Sequence, residues 1–199
     1  MKDFWNERYG EEGLAYGETP NEYLTTVVSN IPSGGSVLVV GDGEGRNGVW
    51  LAEQGFNVLS IDYSAVAIEK INALANKRNV KIAAECHDLT EYQWLENQFD
   101  AVVAIYVHFP PGVREQMHSK MVSSLKTGGK VIMEAFHKAQ LNYSSGGPPV
   151  EPMLFSEAML KDDFSQAKII ELYETIAPLN EGKYHVGDGA VVRLIAEKV

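Results

Sequence analysis

Short runs of apolar, β-branched residues alternate with amphipathic helical patterns along most of the chain. Five of these runs have the length of a buried strand. Helical spacing follows them, as where Ala67, Ile71, Leu74 and Ala75 share one face after the N-cap candidate Ser64. Alternating strands and helices predict right-handed βαβ units and a parallel sheet covered by helices. The predicted strands are residues 36–40, 58–61, 80–84, 101–105 and 131–136.

The chain ends in a different pattern. Residues 167–176 and 190–199 both have strand character, and the turn-rich sequence PLNEGKYHVGDG separates them. We therefore expect a terminal antiparallel hairpin. The predicted fold is a single-domain, Rossmann-like, doubly wound α/β fold. Its core, residues 34–199, holds a mostly parallel seven-stranded sheet, and residues 1–33 form an N-terminal helical cap.

Composition narrows the class of protein. The 199 residues carry 17 basic and 27 acidic side chains, a net charge of −10, with no basic cluster that could follow a phosphate backbone. We expect no nucleic-acid partner. No apolar stretch has the length of a signal peptide or membrane span, and the single cysteine, Cys86, excludes an internal disulfide. These features predict a cytoplasmic protein without a membrane partner, a monomer or weak homodimer.

A glycine-rich turn follows the first predicted strand in VLVVGDGEGRNG. Gly41, Gly43 and Gly45 let the backbone approach a ligand closely, and a helix beginning near Arg46 offers unpaired N–H groups there. Gly43, Gly45 and Gly48 also match the GxGxxG spacing of dinucleotide sites, so these glycines leave a nicotinamide cofactor open.

Two acids at strand ends bear on that choice. Asp62 ends the second predicted strand, where a carboxylate can accept both hydroxyls of a ribose. Asp88 follows the third and could accept an adenine amino group. Together with Asp42 and Glu44, Asp62 would repel a pyrophosphate and attract a sulfonium cation. The charges favour S-adenosylmethionine over a dinucleotide.

The string GDGEGRNGVWLAEQGFNVLSIDYS resembles the class I S-adenosylmethionine-dependent methyltransferases. Three further segments, WNERY, YGETPNEYL and LKTGGKVIMEAF, resemble the small tellurite-resistance-type and thiopurine-methyltransferase-type enzymes. The resemblance implies S-adenosyl-L-methionine as cofactor and a small-molecule methyl acceptor. It implies that the cofactor is held by Arg8, Tyr9, Gly41, Asp42, Gly43, Asn47, Asp62, Tyr63, Ser64, Asp88, Leu89, Tyr106 and Val107.

One position departs from the family pattern. The family has an acid two residues before the first glycine, where it helps to hold the methionine ammonium, and this chain has Val39. Asp42 inside the loop, or backbone carbonyls, could take that role. Arg8 could pair with the methionine carboxylate, because a guanidinium makes bidentate contacts to that group.

Four residues are candidates for catalysis. His108 and His185 follow strands whose ends meet at one sheet edge, and an imidazole there can take a proton from an acceptor. Tyr16 could line the transfer face, where aromatic rings favour a cation. Glu134 stands in a buried run, where an unpaired carboxylate is costly, and could contact the substrate or pair structurally. The histidines show no metal-ligand spacing, so no metal is expected.

The predicted function is methyl transfer from S-adenosylmethionine to a small molecule. A thiol or chalcogen anion would need no general base, whereas a hydroxyl or amine would call for His108 or His185. The alternatives are an NAD(P)-dependent oxidoreductase and a non-catalytic S-adenosylmethionine-binding protein. Residues 144–149, SSGGPP, are expected to form a loop at the site, either as a mobile lid or as a rigid turn.

Overall fold

One seven-stranded sheet organises the protein in a computed structural model that describes residues 2–199. Its strand order is β3-β2-β1-β4-β5-β7-β6. The first five strands pair in parallel, and β7 runs antiparallel to both β5 and β6. This arrangement confirms the predicted fold class. The strands are β1 Ser36–Val40, β2 Asn57–Asp62, β3 Ala83–Cys86, β4 Phe99–Ile105, β5 Leu125–Phe136, β6 Lys168–Glu181 and β7 His185–Glu197.

Helices connect β1 to β2, β2 to β3 and β4 to β5, and two further helices precede β1. The pattern after Ser64 forms a helix as predicted, with the Ser64 hydroxyl accepting a hydrogen bond from the Ala67 N–H. None of the helices within residues 2–199 is long and apolar enough to cross a membrane. The helices are α1 Lys2–Gly10, α2 Glu22–Val27, α3 Arg46–Glu53, α4 Ala65–Arg78, α5 Arg114–Ser124 and α6 Glu157–Asp163, with 3-10 turns at Val28–Asn30, Lys138–Asn142 and Glu151–Met153.

The third strand begins later than its apolar run suggested. Asn79 takes a left-handed conformation that ends α4, and the Val80 N–H still donates to the Ala75 carbonyl. Val80 and Ile82 pack against the inner face of α4. The apolar residues at 80–82 therefore serve helix packing, and only Ala83–Cys86 pairs with β2.

The terminal hairpin is longer than predicted. Pairing between β6 and β7 continues to Glu181 and His185, so only residues 182–184 form the turn. The expected loop at 178–189 was wrong, because those residues extend both strands. Beyond Phe136, which pairs with Val191, the two strands have no sheet neighbour in β5. The hairpin therefore projects past the carboxyl edge of the parallel strands.

The central strand β1 supplies the core on both faces. Leu38 is fully buried among apolar residues on the α5 side of the sheet, and Val39 is buried on the opposite side. Burying a leucine side chain stabilises a fold by about 2 kcal/mol in transfer free energy, and an unfilled cavity adds to the cost of losing it.

Leu38→Ala should lower the free energy of unfolding by about 2–5 kcal/mol, because the surrounding strands cannot close the cavity. Val186→Ala is the matched control: Val186 is 58% exposed on β7, and its truncation should change stability by less than about 0.5 kcal/mol. Urea unfolding followed by circular dichroism measures both. Equal stabilities of the two variants would contradict this description of the core.

Candidate active site

A cavity of about 870 Å³ lies at the carboxyl edge of the parallel strands. Its floor is the loop after β1, together with the ends of β2 and β4. Helix α1, the hairpin turn and residues 144–149 close it from above. Ligands of open α/β sheets bind at this edge, so the fold places a binding site where the sequence predicted one.

The glycine loop forms the floor with backbone alone. Gly41 and Gly43 have positive φ angles of 58° and 60°. A Cβ atom added to Gly41 would lie 2.8 Å from Val107 Cγ2, and one added to Gly43 would lie 2.9 Å from the Tyr9 hydroxyl oxygen. Because side chains are excluded here, a ligand can contact the loop backbone directly.

Asp62 is buried at the end of β2 and borders the cavity. One carboxylate oxygen accepts a 2.8 Å hydrogen bond from the Gly43 N–H, and the other accepts one of 2.9 Å from the Ser64 N–H. Burial raises the Asp62 pKa, although these backbone hydrogen bonds oppose the shift. Each oxygen keeps a second lone pair, so the carboxylate can also accept two hydroxyl groups of a ligand.

Asp88 also borders the cavity, in the loop after β3. Its Oδ1 atom accepts hydrogen bonds from the Thr90 N–H at 2.9 Å and the Thr90 hydroxyl at 2.7 Å, which fixes the carboxylate orientation. Tyr63 and Leu89 border the same end of the cavity. The part of the cavity predicted to hold the adenine is therefore lined by the Asp88 carboxylate, the aromatic ring of Tyr63 and the apolar side chain of Leu89.

Asp42 serves the loop itself. Its Oδ1 accepts from the Gly48 N–H at 3.1 Å and its Oδ2 from the Ser60 hydroxyl at 2.6 Å. Burial raises the Asp42 pKa to about 7, against the effect of these two bonds. Asp42 borders the cavity, but its carboxylate is engaged with α3 and β2. The side chain of Val39 is buried in the core, and a role of Asp42 in place of the missing acid stays a prediction.

Two other predicted cofactor residues hold the N-terminal segment. The Ser64 hydroxyl caps α4 and donates to Asn6 Oδ1 at 2.6 Å, so its side chain faces α1 and α4. The Asn47 side-chain oxygen accepts the Asn21 N–H at 2.9 Å. Asn47 still borders the cavity and Ser64 does not. A direct contact from the Ser64 side chain to the cofactor is therefore not supported.

The roof of the cavity is aromatic and carries one guanidinium. Arg8 donates to the Tyr16 hydroxyl at 3.1 Å, and its guanidinium lies 3.7 Å from the centre of the Tyr184 ring. Tyr9 stacks on Trp5 at 5.4 Å, and its burial raises the Tyr9 pKa well above the ordinary value. Arg8, Tyr9 and Tyr16 all border the cavity, as the resemblance implied.

The loop after β4 brings Tyr106 and Val107 to the cavity wall. Tyr106 has a positive φ of 57°, and its ring stacks on Phe136 at 4.7 Å. Its hydroxyl donates to Glu134 Oε1 at 2.8 Å. This hydrogen bond fixes the ring of Tyr106 against the cavity.

Glu134 is almost fully buried and has a structural role. Besides Tyr106, it accepts from the Asn21 amide at 2.6 Å and pairs with Arg193 Nε at 2.6 Å. Glu134 does not border the cavity. Its expected contact with the substrate is therefore wrong, because three donors from other elements already use the carboxylate.

His108 borders the cavity, but backbone groups use both of its ring nitrogens. Nδ1 lies 2.7 Å from the Met153 carbonyl oxygen, and Nε2 accepts the Phe136 N–H at 3.2 Å. Burial lowers the His108 pKa to about 4, more than the Met153 contact raises it. His108 has no nitrogen left to receive a proton, so its expected role as a general base is wrong.

His185 has a different environment, at the start of β7. Its Nδ1 lies 3.0 Å from Glu181 Oε2, and within residues 2–199 this is the one hydrogen bond of the His185 ring, so Nε2 has no partner. The rings of Tyr16 and Tyr106 both lie 4.6 Å from its own, and Phe136 lies at 5.2 Å. His185 borders the cavity and keeps one nitrogen available for chemistry.

Glu181 was missed in the sequence. It is the last residue of β6, its side chain is 11% exposed, and Arg46 Nη1 contacts its Oε1 at 2.9 Å. Burial favours a higher pKa, but the hydrogen bond from His185 and the charge of Arg46 outweigh it and lower the Glu181 pKa to about 2. The sequence does contain a signal for this pair: Glu181 precedes His185 by four residues, with Gly182 in the turn between them.

Loop 144–149 is fastened over the cavity. The Ser145 hydroxyl donates to the Asp188 carbonyl at 2.7 Å, and the Gln140 amide donates to both Ser145 and Gly146 at 3.0 Å. A Cβ atom on Gly146 would lie 2.5 Å from the His185 ring, and one on Gly147 would meet Phe136. The two glycines let this loop lie directly against the histidine.

Within residues 2–199, no group of three His, Cys, Asp or Glu side chains is placed to hold a metal ion.

The chain is similar in sequence to several known methyltransferases. A family profile described as a methyltransferase domain matches residues 37–129. The ubiquinone biosynthesis O-methyltransferase of Rickettsia akari is 28% identical over 181 residues, which cover 87% of this chain and 71% of that protein. The probable thiol methyltransferase 2 of Arabidopsis thaliana is 27% identical, over 84% of this chain and 78% of its own.

The chain carries a methyltransferase domain and is an S-adenosylmethionine-dependent methyltransferase.

The fold of the methyltransferase agrees with this assignment. The crystal structure of TehB from Haemophilus influenzae superposes with a TM-score of 0.74 at 20% identity, covering all of this chain and 67% of that one. This likeness supports the same fold, and a segment of 73 residues is also 36% identical to the thiopurine S-methyltransferase of Bordetella pertussis, over 34% of this chain and 32% of that protein. The nicotinamide alternative is not favoured.

The cavity of the methyltransferase fits S-adenosylmethionine. The glycine floor would be filled by Cβ atoms, and buried Asp62 has acceptor capacity but no cationic partner within residues 2–199. Both features suit a ligand with ribose hydroxyls and no phosphate. The cofactor is S-adenosyl-L-methionine.

Asp62→Asn should weaken S-adenosylhomocysteine binding by about 10- to 100-fold, because hydrogen bonds to a charged acceptor contribute about 1.5–3 kcal/mol. Asp100→Asn is the control, since Asp100 binds Lys126 and the Ser36 N–H at the opposite end of β1. Calorimetric titration of both variants measures the effect. Unchanged affinity of Asp62→Asn would contradict the assignment of Asp62 as a cofactor-binding residue.

Proposed function

We propose that the methyltransferase methylates the sulfur of a small thiol bound beneath the N-terminal segment, beside His185. The observation that carries this proposal is the unpartnered Nε2 of His185 within a ring of aromatic side chains. Similarity to a thiol methyltransferase supports a sulfur acceptor, while similarity to an O-methyltransferase keeps oxygen as the alternative.

Cofactor-binding residues and acceptor-binding residues occupy different ends of the cavity. When bound, S-adenosylmethionine supplies a methyl group attached to a sulfonium. In the proposal, Asp62 accepts the ribose hydroxyls, Asp88 the adenine amino group, and the loop backbone at Gly41–Gly43 holds the amino-acid part. Arg8 is the candidate partner for the carboxylate, since only Nη1 of its guanidinium is used by Tyr16.

Aromatic side chains around the transfer position perform two tasks. Tyr9, Tyr16 and Tyr106 present ring faces or hydroxyls to the cavity, and such faces favour a sulfonium charge. Their bulk also excludes water, so an in-line displacement needs only alignment of the two reactants. These residues act by positioning, and the one proton that must move is the acceptor's.

The acidity of the acceptor favours sulfur over oxygen. Burial lowers the His185 pKa, although the Glu181 hydrogen bond opposes the shift, so His185 is a mild base. A thiol has a pKa of about 8.5 and a phenol about 10, while an aliphatic hydroxyl is much weaker. A mild base deprotonates the thiol most readily, and thiolate is also the strongest nucleophile of the three.

Benzyl mercaptan, benzyl alcohol and benzylamine form a matched acceptor series that differs in one atom type. The thiol should show a kcat/KM at least about 10-fold above the other two, because His185 can ionise only the thiol efficiently. Production of S-adenosylhomocysteine, followed by mass spectrometry of the methylated product, measures the series. Faster methylation of the alcohol or the amine would contradict the proposed acceptor.

His185→Asn should lower kcat for benzyl mercaptan by about 100-fold and leave S-adenosylhomocysteine affinity unchanged. His108→Asn is the comparison: it should retain kcat within about threefold but lose about 1–3 kcal/mol of stability, since His108 satisfies two buried backbone groups. Steady-state kinetics, calorimetry and thermal unfolding separate these effects. Full activity of His185→Asn would remove His185 from the mechanism.

A further inference from the structure

We propose that Glu181, acting through His185, is a positioning residue that adapts the site to thiols which arrive protonated, rather than to acceptors that arrive as anions. This inference rests on the proposed function and names the acceptor class for it. It is carried by the hydrogen-bond pattern on both sides of Glu181 and by the charges that face His185.

Glu181 sets the proton position on His185. Its ionised carboxylate can only accept, so the His185 Nδ1–H donates to Oε2 at 3.0 Å. The neutral ring then carries its lone pair on Nε2, the nitrogen that lies beside Gly146, another residue of the cavity lining. Both side chains are largely buried, at 11% and 7% exposure, so water competes little for this contact.

The other oxygen of Glu181 holds the carboxylate in place. Its Oε1 contacts Arg46 Nη1 at 2.9 Å and accepts the Asn21 amide at 3.1 Å. The same Asn21 amide nitrogen donates to Glu134, which Arg193 pairs with. Two carboxylates and two guanidiniums thus share one buried network, and this keeps Glu181 ionised beside the imidazole.

The charges facing His185 disfavour an anionic acceptor. The cations of the cavity lining near His185 already have partners: Arg46 pairs with Glu181, Lys183 with Glu11, and Arg8 contacts the Tyr16 hydroxyl and the Tyr184 ring and, in the proposed complex, the cofactor carboxylate. His108 is uncharged, and Tyr16 and Tyr106 have raised pKa values because they are buried. An incoming anion would meet the Glu181 charge without a free cationic side chain to balance it, whereas a neutral S–H would not.

The proposed step balances without any further reactant. The acceptor S–H gives its proton to His185 Nε2, and the sulfur lone pair forms the new bond to the methyl carbon. The bond between the methyl carbon and the sulfonium sulfur breaks, and its electron pair stays on that sulfur, which becomes the thioether of S-adenosylhomocysteine. His185 then releases the proton to solvent, so the net products are a methyl thioether, S-adenosylhomocysteine and one proton.

Glu181→Gln tests the role of the charge without removing volume. Because Arg46 and Asn21 both donate to Oε1, the glutamine carbonyl oxygen should stay there and its NH₂ group should face His185 Nδ1. That arrangement forces the proton onto Nε2, which blocks the base. The matched control is Glu174→Gln. Glu174 lies on β6, like Glu181, and pairs with His137 Nε2 at 2.9 Å. Neither Glu174 nor His137 borders the cavity.

Two acceptors separate the positioning role from general damage. With benzyl mercaptan, which is protonated at neutral pH, Glu181→Gln should lose about 100-fold in kcat. With 4-nitrothiophenol, which is already ionised, the loss should stay within about threefold. Raising the pH should restore benzyl mercaptan methylation as the thiol ionises by itself. Equal losses with both acceptors, or a similar loss in Glu174→Gln, would overturn the proposal.

A second readout needs neither cofactor nor acceptor. In ¹⁵N-histidine-labelled protein, the His185 proton should lie on Nδ1 in the wild type and on Nε2 in Glu181→Gln, and the His185 pKa should fall by about one unit or more in the variant. An unchanged tautomer and pKa would overturn the role of Glu181. If the tautomer switches but no thiol is methylated by the wild type, the proposed acceptor fails instead.

Discussion

Asn21 holds two buried carboxylates at hydrogen-bond distance, and the shape of the active site depends on this contact. Its amide reaches Glu134 at 2.6 Å and Glu181 at 3.1 Å, and Arg193 and Arg46 balance the two charges. Buried carboxylates are costly unless donors surround them, so the network tolerates few alternative arrangements. It joins the N-terminal segment, β5 and the projecting hairpin, which are the parts that enclose the acceptor end of the cavity.

The three acids in and beside the glycine loop, Asp42, Glu44 and Asp62, have different roles. Asp42 and Glu44 are used within the protein: Asp42 by Gly48 and Ser60, and Glu44 by Lys70 and the Ala15 N–H. Asp62 keeps acceptor capacity toward the cavity. The acid count that favoured a sulfonium ligand over a pyrophosphate was therefore too simple. The phosphate-free site instead follows from one buried acid with open lone pairs beside a backbone floor.

Local periodicity was sufficient to predict most of the fold, because strands and helices bury faces that repeat every two or 3.6 residues. It failed at Val80, whose apolar side chain packs on a helix that ends just before it. Motif resemblance selected the predicted cofactor positions, all of which except Ser64 border the cavity. The roles of His108, Glu134 and Glu181 were not, because their partners lie up to 160 residues away or are backbone groups, which leave no local signal.

A crystal structure of the protein with S-adenosylhomocysteine and benzyl mercaptan tests the central claim most directly. The account predicts adenosine between Asp62 and Asp88, and the thiol sulfur within hydrogen-bond distance of His185 Nε2 while facing the cofactor sulfur. A thiol bound on the far side of Tyr106, or His185 turned so that Nε2 contacts Glu181, would contradict the assignment of His185 as the proton acceptor.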